Sequence, residues 1–194
     1  MDDEQGISSG YVTSYSTRVA LRPLLPSDFN FVYELAVSLD AGRTWKFRGT
    51  TPSPDVVMRQ LYDGVVLQQL IVMRFSGEPV GISGIYNAHP ASGFGYLHTL
   101  GRTDPPMRGL VTEGTALLID HAFDVLGLRK LYIEILSSNE ARVGAGLARY
   151  CELEGRLLSH ELQGEVYADL LTYALYRPRW REVRRRFLHV AGEQ

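Results

Sequence analysis

Cysteine is almost missing from this chain: Cys151 is the only one in 194 residues. That excludes an internal disulfide and any zinc site built on several thiolates. Lysine is nearly as scarce, since only Lys46 and Lys130 stand among the 20 basic residues and arginine supplies the rest. That bias points to a GC-rich bacterial source. No apolar run approaches the about 20 residues needed to span a bilayer. The opening M-D-D-E-Q-G is acidic and lacks the apolar segment of a secretory signal. A net charge of −2 gives no overall attraction to nucleic acid or to an anionic membrane. The expectation is a cytoplasmic protein with neither of those partners. With 45% hydrophobic and 22% charged residues, the chain has enough apolar material for one domain with a buried core.

Residues 1–17 are polar and rich in Gly, Ser and Tyr, which reads as a mobile tail. Residues 18–23 alternate as a first strand. Pro26 and Ser27 then open a helix, with Ser27 as N-cap and Phe31, Leu35 and Ala36 on one face. Residues 41–51 form a loop holding Arg43, Trp45, Phe47 and Arg48. Ser53 and Pro54 start a second short helix. From Gln69 the period changes: Q-L-I-V-M-R-F, a turn at 76–79 and V-G-I-S-G-I-Y-N make a hairpin, and F-G-Y-L-H-T-L adds a third strand.

Residues 103–126 stand out next. Pro105 and Pro106 prevent regular structure before Arg108, because proline fixes φ and lacks an N–H. Gly109 lets a backbone approach a ligand closely. The helix after it would open with N–H groups suited to a phosphate, although an ordinary loop-to-helix junction reads the same residues equally well. At 100° per residue Val111, Gly114, Leu118, Ala122 and Val125 form one stripe, flanked by Leu117, Ile119 and Leu126. Glu113, Asp120 and Asp124 share the opposite, solvated side. Gly127 ends the helix and L-R-K-L-Y-I-E-I-L gives the next strand, so the crossover favours a parallel neighbour. Ser138 and Asn139 cap a further helix to about Cys151. A closing hairpin turns at Gln163 and Gly164, and a basic helix spans residues 179–190.

The order of these elements and six sequence pieces resemble the GNAT acyltransferase superfamily, and within it the ribosomal-protein alanine N-acetyltransferase branch. The pieces are V-A-L-R-P-L-L-P-S-D, G-E-P-V-G-I, G-L-V-T-E-G-T-A-L-L-I-D-H-A-F, L-G-L-R-K-L-Y-I-E-I-L-S-S-N-E-A-R, E-L-E-G-R-L and V-Y-A-D-L-L-T-Y-A-L. The resemblance implies an α/β (α+β) fold: a mixed, mostly antiparallel central sheet splayed between two parallel strands, with helices on both sides. The domain would span 18–178, with 179–194 as a basic C-terminal helix or tail. It also implies acetyl-CoA or another acyl-CoA as co-substrate, no metal, and an amine acceptor that is a small molecule or a protein N-terminus. Acyl-CoA would contact Leu97, Thr99, Arg108, Gly109, Leu110, Val111, Thr112, Gly114 and Asn139. Two departures matter. Of the family's phosphate-loop positions only Gly109 is kept, with Pro106 and Val111 at the others and Arg108 adding a charge. Gly146 stands where many members carry the tyrosine that protonates the leaving thiolate, although several members of the branch lack it too.

Acyl transfer to an amine needs a deprotonated amine, an oxyanion donor and a proton for sulfur. The resemblance assigns the oxyanion donor to a backbone N–H near Leu97 to Thr99. His98, with an unperturbed pKa of about 6.5, and Glu134 are the candidate bases, against ordinary roles as a wall residue and an ion-pair partner. Tyr150, one turn beyond Gly146, is the candidate acid. Trp45, Phe47 and Arg48 lie where the family builds its acceptor pocket, and two aromatics anchoring a loop explain them as well. Glu113 is rejected as a member of a solvated face. His89, His121, His160 and His189 show no metal-ligand spacing, and Cys151 reads as packing. The acidic net charge favours a docking or homodimer role for the arginine-rich end over nucleic acid. The competing class is a non-catalytic acyl-CoA-binding or scaffold protein that keeps the fold.

Overall fold

A computed structural model of the chain describes residues 12–42, 45–47, 50–163 and 165–188. Eight strands form one sheet in the order β1-β2-β3-β4-β5-β6-β8-β7. They are β1 (Ser14–Tyr15), β2 (Val19–Pro23), β3 (Val65–Met73), β4 (Pro79–His89), β5 (Phe94–Gly101), β6 (Lys130–Leu136), β7 (Glu152–Gln163) and β8 (Val166–Tyr176). Every neighbouring pair is antiparallel except β5 and β6. The parallel pair brackets α3 (Pro105–Asp124), as a crossover requires. Residues 14 and 15 pair with β2 at Leu21 and Ala20, so this part of the expected tail is strand. Residues 1–11, Arg43, Arg48, Gly164 and His189 lie outside the described residues.

Both faces of the sheet are covered, so consecutive residues are buried in β2 (Val19, Ala20, Leu21) and in β3 (Leu70, Ile71, Val72). On one face Val19, Leu21, Ile71 and Ile85 pack under Leu118, Ala122 and Phe123 of α3, together with Trp180 and Val183 of α5 (Arg177–Val183). On the other, Ala20, Leu70, Val72 and Ile82 meet Val32 and Leu35 of α1 (Phe29–Val37), Val57 and Leu61 of α2 (Pro54–Tyr62), and the loop aromatics Trp45 and Phe47. Before α1 a 3-10 turn is held by Asp28, not Ser27. The buried Asp28 carboxylate accepts from Arg22 at 2.7 and 2.8 Å and from the Leu25 N–H at 2.9 Å. Among the described residues no helix is long and apolar enough to cross a membrane.

α3 differs from its sequence reading in three ways. It starts at Pro105, four residues before Gly109, with the prolines at its first two positions. Proline disrupts a helix interior, but at the first turn its fixed φ fits and it has no N–H to leave unbonded. Glu113 is buried at 1% exposure, where it accepts from Arg18 Nε at 2.6 Å and ties α3 to the sheet. Val125 lies past the last helical residue and is exposed. Asp120 and Asp124 do lie outward, and the C-terminal segment covers them. Trp180 Nε1 donates to Asp120 at 2.7 Å, Arg184 reaches Asp120 at 3.4 Å, and Arg177 and Arg181 reach Asp124 at 3.3 and 3.5 Å. The arginine-rich end is therefore docked on its own chain.

α3 also comes unusually close to the sheet. A Cβ at Gly101 would stand 2.6 Å from Val111 Cγ2, and one at Gly114 would collide with the Ile71 side chain. Gly114→Ala is expected to lower stability by about 1–3 kcal/mol from overpacking, although alanine is the better helix former by about 1 kcal/mol. Urea denaturation checks the sign; a stabilised variant contradicts the packing. At the other end of the sheet Glu154 collects Lys130 Nζ at 2.7 Å, Tyr132 OH at 2.8 Å and the Tyr176 hydroxyl. Burial works against its charge, but the hydrogen bonds from Lys130, Tyr176 and Tyr132 prevail and hold it near 2, below 4.5. A depressed carboxylate stabilises the fold above its unfolded pKa and loses that contribution as pH falls from about 4.5 to about 2. The wild-type advantage in Tm over Glu154→Gln should shrink across that window.

Candidate functional site

β5 and β6 are paired at only three places: Phe94 with Lys130, Gly95 with Leu131 and Tyr96 with Tyr132. Beyond them β5 stays on β4 as far as Gly101 opposite Gly81, and β6 stays on β8 as far as Leu136 opposite Leu170. The two strands follow different partners and part. Their facing edges past Tyr96 and Tyr132 carry backbone groups with no strand partner, which is a slot for an extended ligand that can hydrogen-bond. On the α3 face of this slot Leu97 is buried and Thr99 is exposed. Ser83 Oγ donates to the His98 carbonyl at 2.9 Å, and Thr115 Oγ1 to the Val111 carbonyl at 2.8 Å. Thr99 Oγ1 lies 3.0 Å from Ser83 Oγ and 3.1 Å from Thr115 Oγ1. Both neighbours have already placed their protons, so Thr99 spends its own on one of them and offers lone pairs outward.

Strand alternation puts His98 and Glu134 on the other face, each two residues past the last pair. His98 lies across β4 because residue 84 is glycine; a Cβ there would collide with Nε2. Nε2 donates to Gln68 Oε1 at 3.2 Å. Nδ1 is then a bare acceptor, and like Gln68 Nε2 and Trp45 Nε1 it is buried without a partner among the described residues. Burial, helped by the Lys46 charge, drives His98 down to about 3. The expectation of an imidazole titrating near neutrality does not hold. His98 is a neutral hydrogen-bonding group and a weak base. Burial instead pushes Glu134 above the ordinary carboxylate range.

Glu134 borders an open pocket of about 590 Å³ with Tyr86, Asn87, His89 and Tyr96. Rings continue in a row: Tyr86 to Tyr96 at 5.4 Å, Tyr96 to Tyr132 at 5.2 Å, Tyr86 to His98 at 5.8 Å and Trp45 to His98 at 6.4 Å. Trp45 and Phe47, expected at an acceptor pocket, are buried in the α1/α2 core and do not line this pocket. Gln68, Ser83, Tyr86 and Tyr96 escaped the sequence reading. The signal was there: Tyr96 shares the parity of His98, and the hairpin register sets Tyr86 beside it.

The other expected residues do not gather here. Tyr150 packs edge-on to Phe187 at 5.2 Å, in the cluster beneath α5. Gly146 is exposed with open space around it, inside the short helix α4 (Ala145–Tyr150), which follows a π-turn at Glu140–Gly144. Asn139 closes a 3-10 turn, Ser137–Asn139. Burial pushes the Cys151 thiol up to about 12, so it holds its proton. At the start of α3, Leu110 and Val111 lean on the core and Gly114 is buried, leaving Arg108, Gly109 and Thr112 outward. Met107 and Arg108 donate their N–H groups to the Asp104 carbonyl at 3.0 and 3.1 Å. From there the helix directs each N–H at the carbonyl four residues back.

Comparison with known proteins fits this geometry. Residues 18–145 match the model of the acetyltransferase (GNAT) domain family. Among curated proteins none matches. The fold is shared with the GNAT-family acetyltransferase from Bacillus anthracis, at TM-score 0.68 and 11% identity over 86% of this chain and 98% of that one. It is shared also with the spermidine N-acetyltransferase from Vibrio cholerae in complex with CoA and spermine, at TM-score 0.69 and 16% identity over 84% and 97%. At such identities the likeness is one of fold. The family match covers well over half the sequence, and with the splayed parallel pair it places the chain in the GNAT acetyltransferase domain family, as an acyltransferase.

Proposed function

We propose that this acyltransferase passes the acyl group of a coenzyme A thioester, acetyl first among them, directly to a primary amine. The donor's arm would lie in the slot beside Leu97 and Thr99, and the amine on the opposite face over Tyr86 and Tyr96, next to Glu134. One observation carries the reading: the slot opens beside a pocket walled by tyrosine rings and one carboxylate of raised pKa. A primary amine reaches such a wall as an ammonium ion, with a pKa of about 10.4. Ring faces and a carboxylate both attract it. It must then lose a proton before its lone pair can attack the thioester carbonyl. Glu134, on the border of the pocket, takes that proton in this reading, and its raised pKa makes it a better base than an exposed glutamate. The tetrahedral adduct gives up the second proton of its nitrogen to solvent and collapses with cleavage of the C–S bond, and the thiolate leaves. No tyrosine hydroxyl stands at Gly146, and Tyr150 is turned toward Phe187. The thiolate is therefore protonated from solvent, at a cost in rate of about 10²–10⁴ relative to a placed acid.

The test is thiol release from acetyl-CoA with a panel of amines: polyamines, amino acids, a peptide N-terminus and an aminoglycoside. Release above background is expected for at least one. None would leave the competing reading of a non-catalytic acyl-CoA-binding scaffold. With the best acceptor, Glu134→Gln should lower kcat/KM by about 10²-fold or more. The wild-type rate should fall on the acid side as Glu134 protonates, at a higher pH than an ordinary glutamate requires. That limb should vanish in Glu134→Gln; a limb that persists assigns the base elsewhere.

A further inference from the structure

A phosphate seated at a helix start is held by the N–H groups that the helix itself leaves unbonded, those of its first turn. In α3 two of these are absent and a third is committed. Its first two residues are Pro105 and Pro106, which have no N–H at all. The third, Met107, gives its N–H to the Asp104 carbonyl at 3.0 Å. Charge does not make up the difference. Asp104 sets a carboxylate at the cap, and no cap hydrogen bond engages it. Arg102 is turned away, bonded to Glu78 at 2.7 Å with its guanidinium 6.0 Å from the Phe31 ring. Of the basic residues within four positions of Pro105 that leaves Arg108, exposed on the second half of the first turn. The slot between β5 and β6 is intact by contrast. It has unpaired strand backbone on both sides and the Thr99 lone pairs at its margin, which suits the amide N–H groups of a pantetheine chain.

Resting on the donor reading proposed above, we infer that this chain selects its donor by the pantetheine arm and not by the nucleotide. Pro105 and Pro106 are the residues that set this preference. The substrate class is then a pantetheine thioester, whether the pantetheine belongs to coenzyme A or to the phosphopantetheine of a carrier protein. An amide donating to a charged oxygen is worth at least about tenfold in affinity, and this helix start forgoes two.

Calorimetry on the full chain separates the parts. Coenzyme A and pantetheine are expected to bind within about tenfold of each other, and adenosine 3′,5′-bisphosphate is expected not to compete. A wider gap in favour of the coenzyme, competition by the nucleotide, or no binding of pantetheine would each overturn the inference. The double variant Pro105→Ala with Pro106→Ala restores two N–H groups in residues that favour helix. It should widen the coenzyme's advantage by at least about tenfold, and an unchanged ratio also counts against the inference. Turnover distinguishes the sources: acetyl-pantetheine and an acetyl group on a carrier protein should each reach a kcat/KM within about tenfold of acetyl-CoA. A larger loss with acetyl-pantetheine overturns the inference. The binding results stand apart from acyl transfer. A chain that binds pantetheine yet acylates no amine loses the proposed function and keeps this one.

Discussion

β5 answers to two neighbours unequally. β4 holds it from Phe94 to Gly101, β6 for three residues only, and the proposed site follows from that difference. Where the pairing stops, backbone groups that a closed sheet would use are left for a ligand. The strands cannot close again, because each is fixed to an antiparallel partner that leads it away. α3 bridges them, and the close approaches at Gly101 and Gly114 fix where its first turn falls relative to the slot. A displaced helix start would change what reaches the slot from that side, and the pairing of Arg18 with the buried Glu113 resists such a shift.

The two faces of the parted strands differ in chemistry. The α3 face has hydroxyls with their protons committed inward, and so presents acceptors. The α1/α2 face has rings, a neutral histidine and a carboxylate whose pKa is raised by burial. Acceptors suit an amide-bearing chain and the aromatic carboxylate pocket suits an amine. In the proposed reaction a substrate on each side would meet the other through the slot. Burial acts in opposite directions on the two titratable groups there. It strips His98 of useful basicity and raises that of Glu134, because desolvation disfavours the charged form of each.

Much of the fold was legible in the sequence. Period-two runs marked β3, β4 and β5, Ser53-Pro54 marked the start of α2, and the strand-helix-strand order around residues 94–136 required the parallel pair. The failures have physical causes. Pro105-Pro106 was read as a stop because proline breaks a helix interior, whereas at the first turn it has nothing to break. Glu113 was grouped with Asp120 and Asp124 by helical angle, and in angle they do coincide. But a helix of 20 residues is about 30 Å long, and its side is not covered by one thing throughout. Arg18 covers it at Glu113, and the C-terminal arginines cover it at Asp120 and Asp124. Of the candidate site, alternation places His98 and Glu134 on one face of β5 and β6, but the protonation of His98 depends on burial beside Trp45 and Gln68, which no local pattern encodes.

Amide hydrogen exchange with and without saturating coenzyme A tests the central claim most directly, because it reads backbone groups strand by strand. The account predicts slowed exchange in residues 97–101 and 133–136, the edges that part, and unchanged exchange in residues 107–112 at the start of α3. Protection confined to residues 107–112, with both strand edges unaffected, would contradict it.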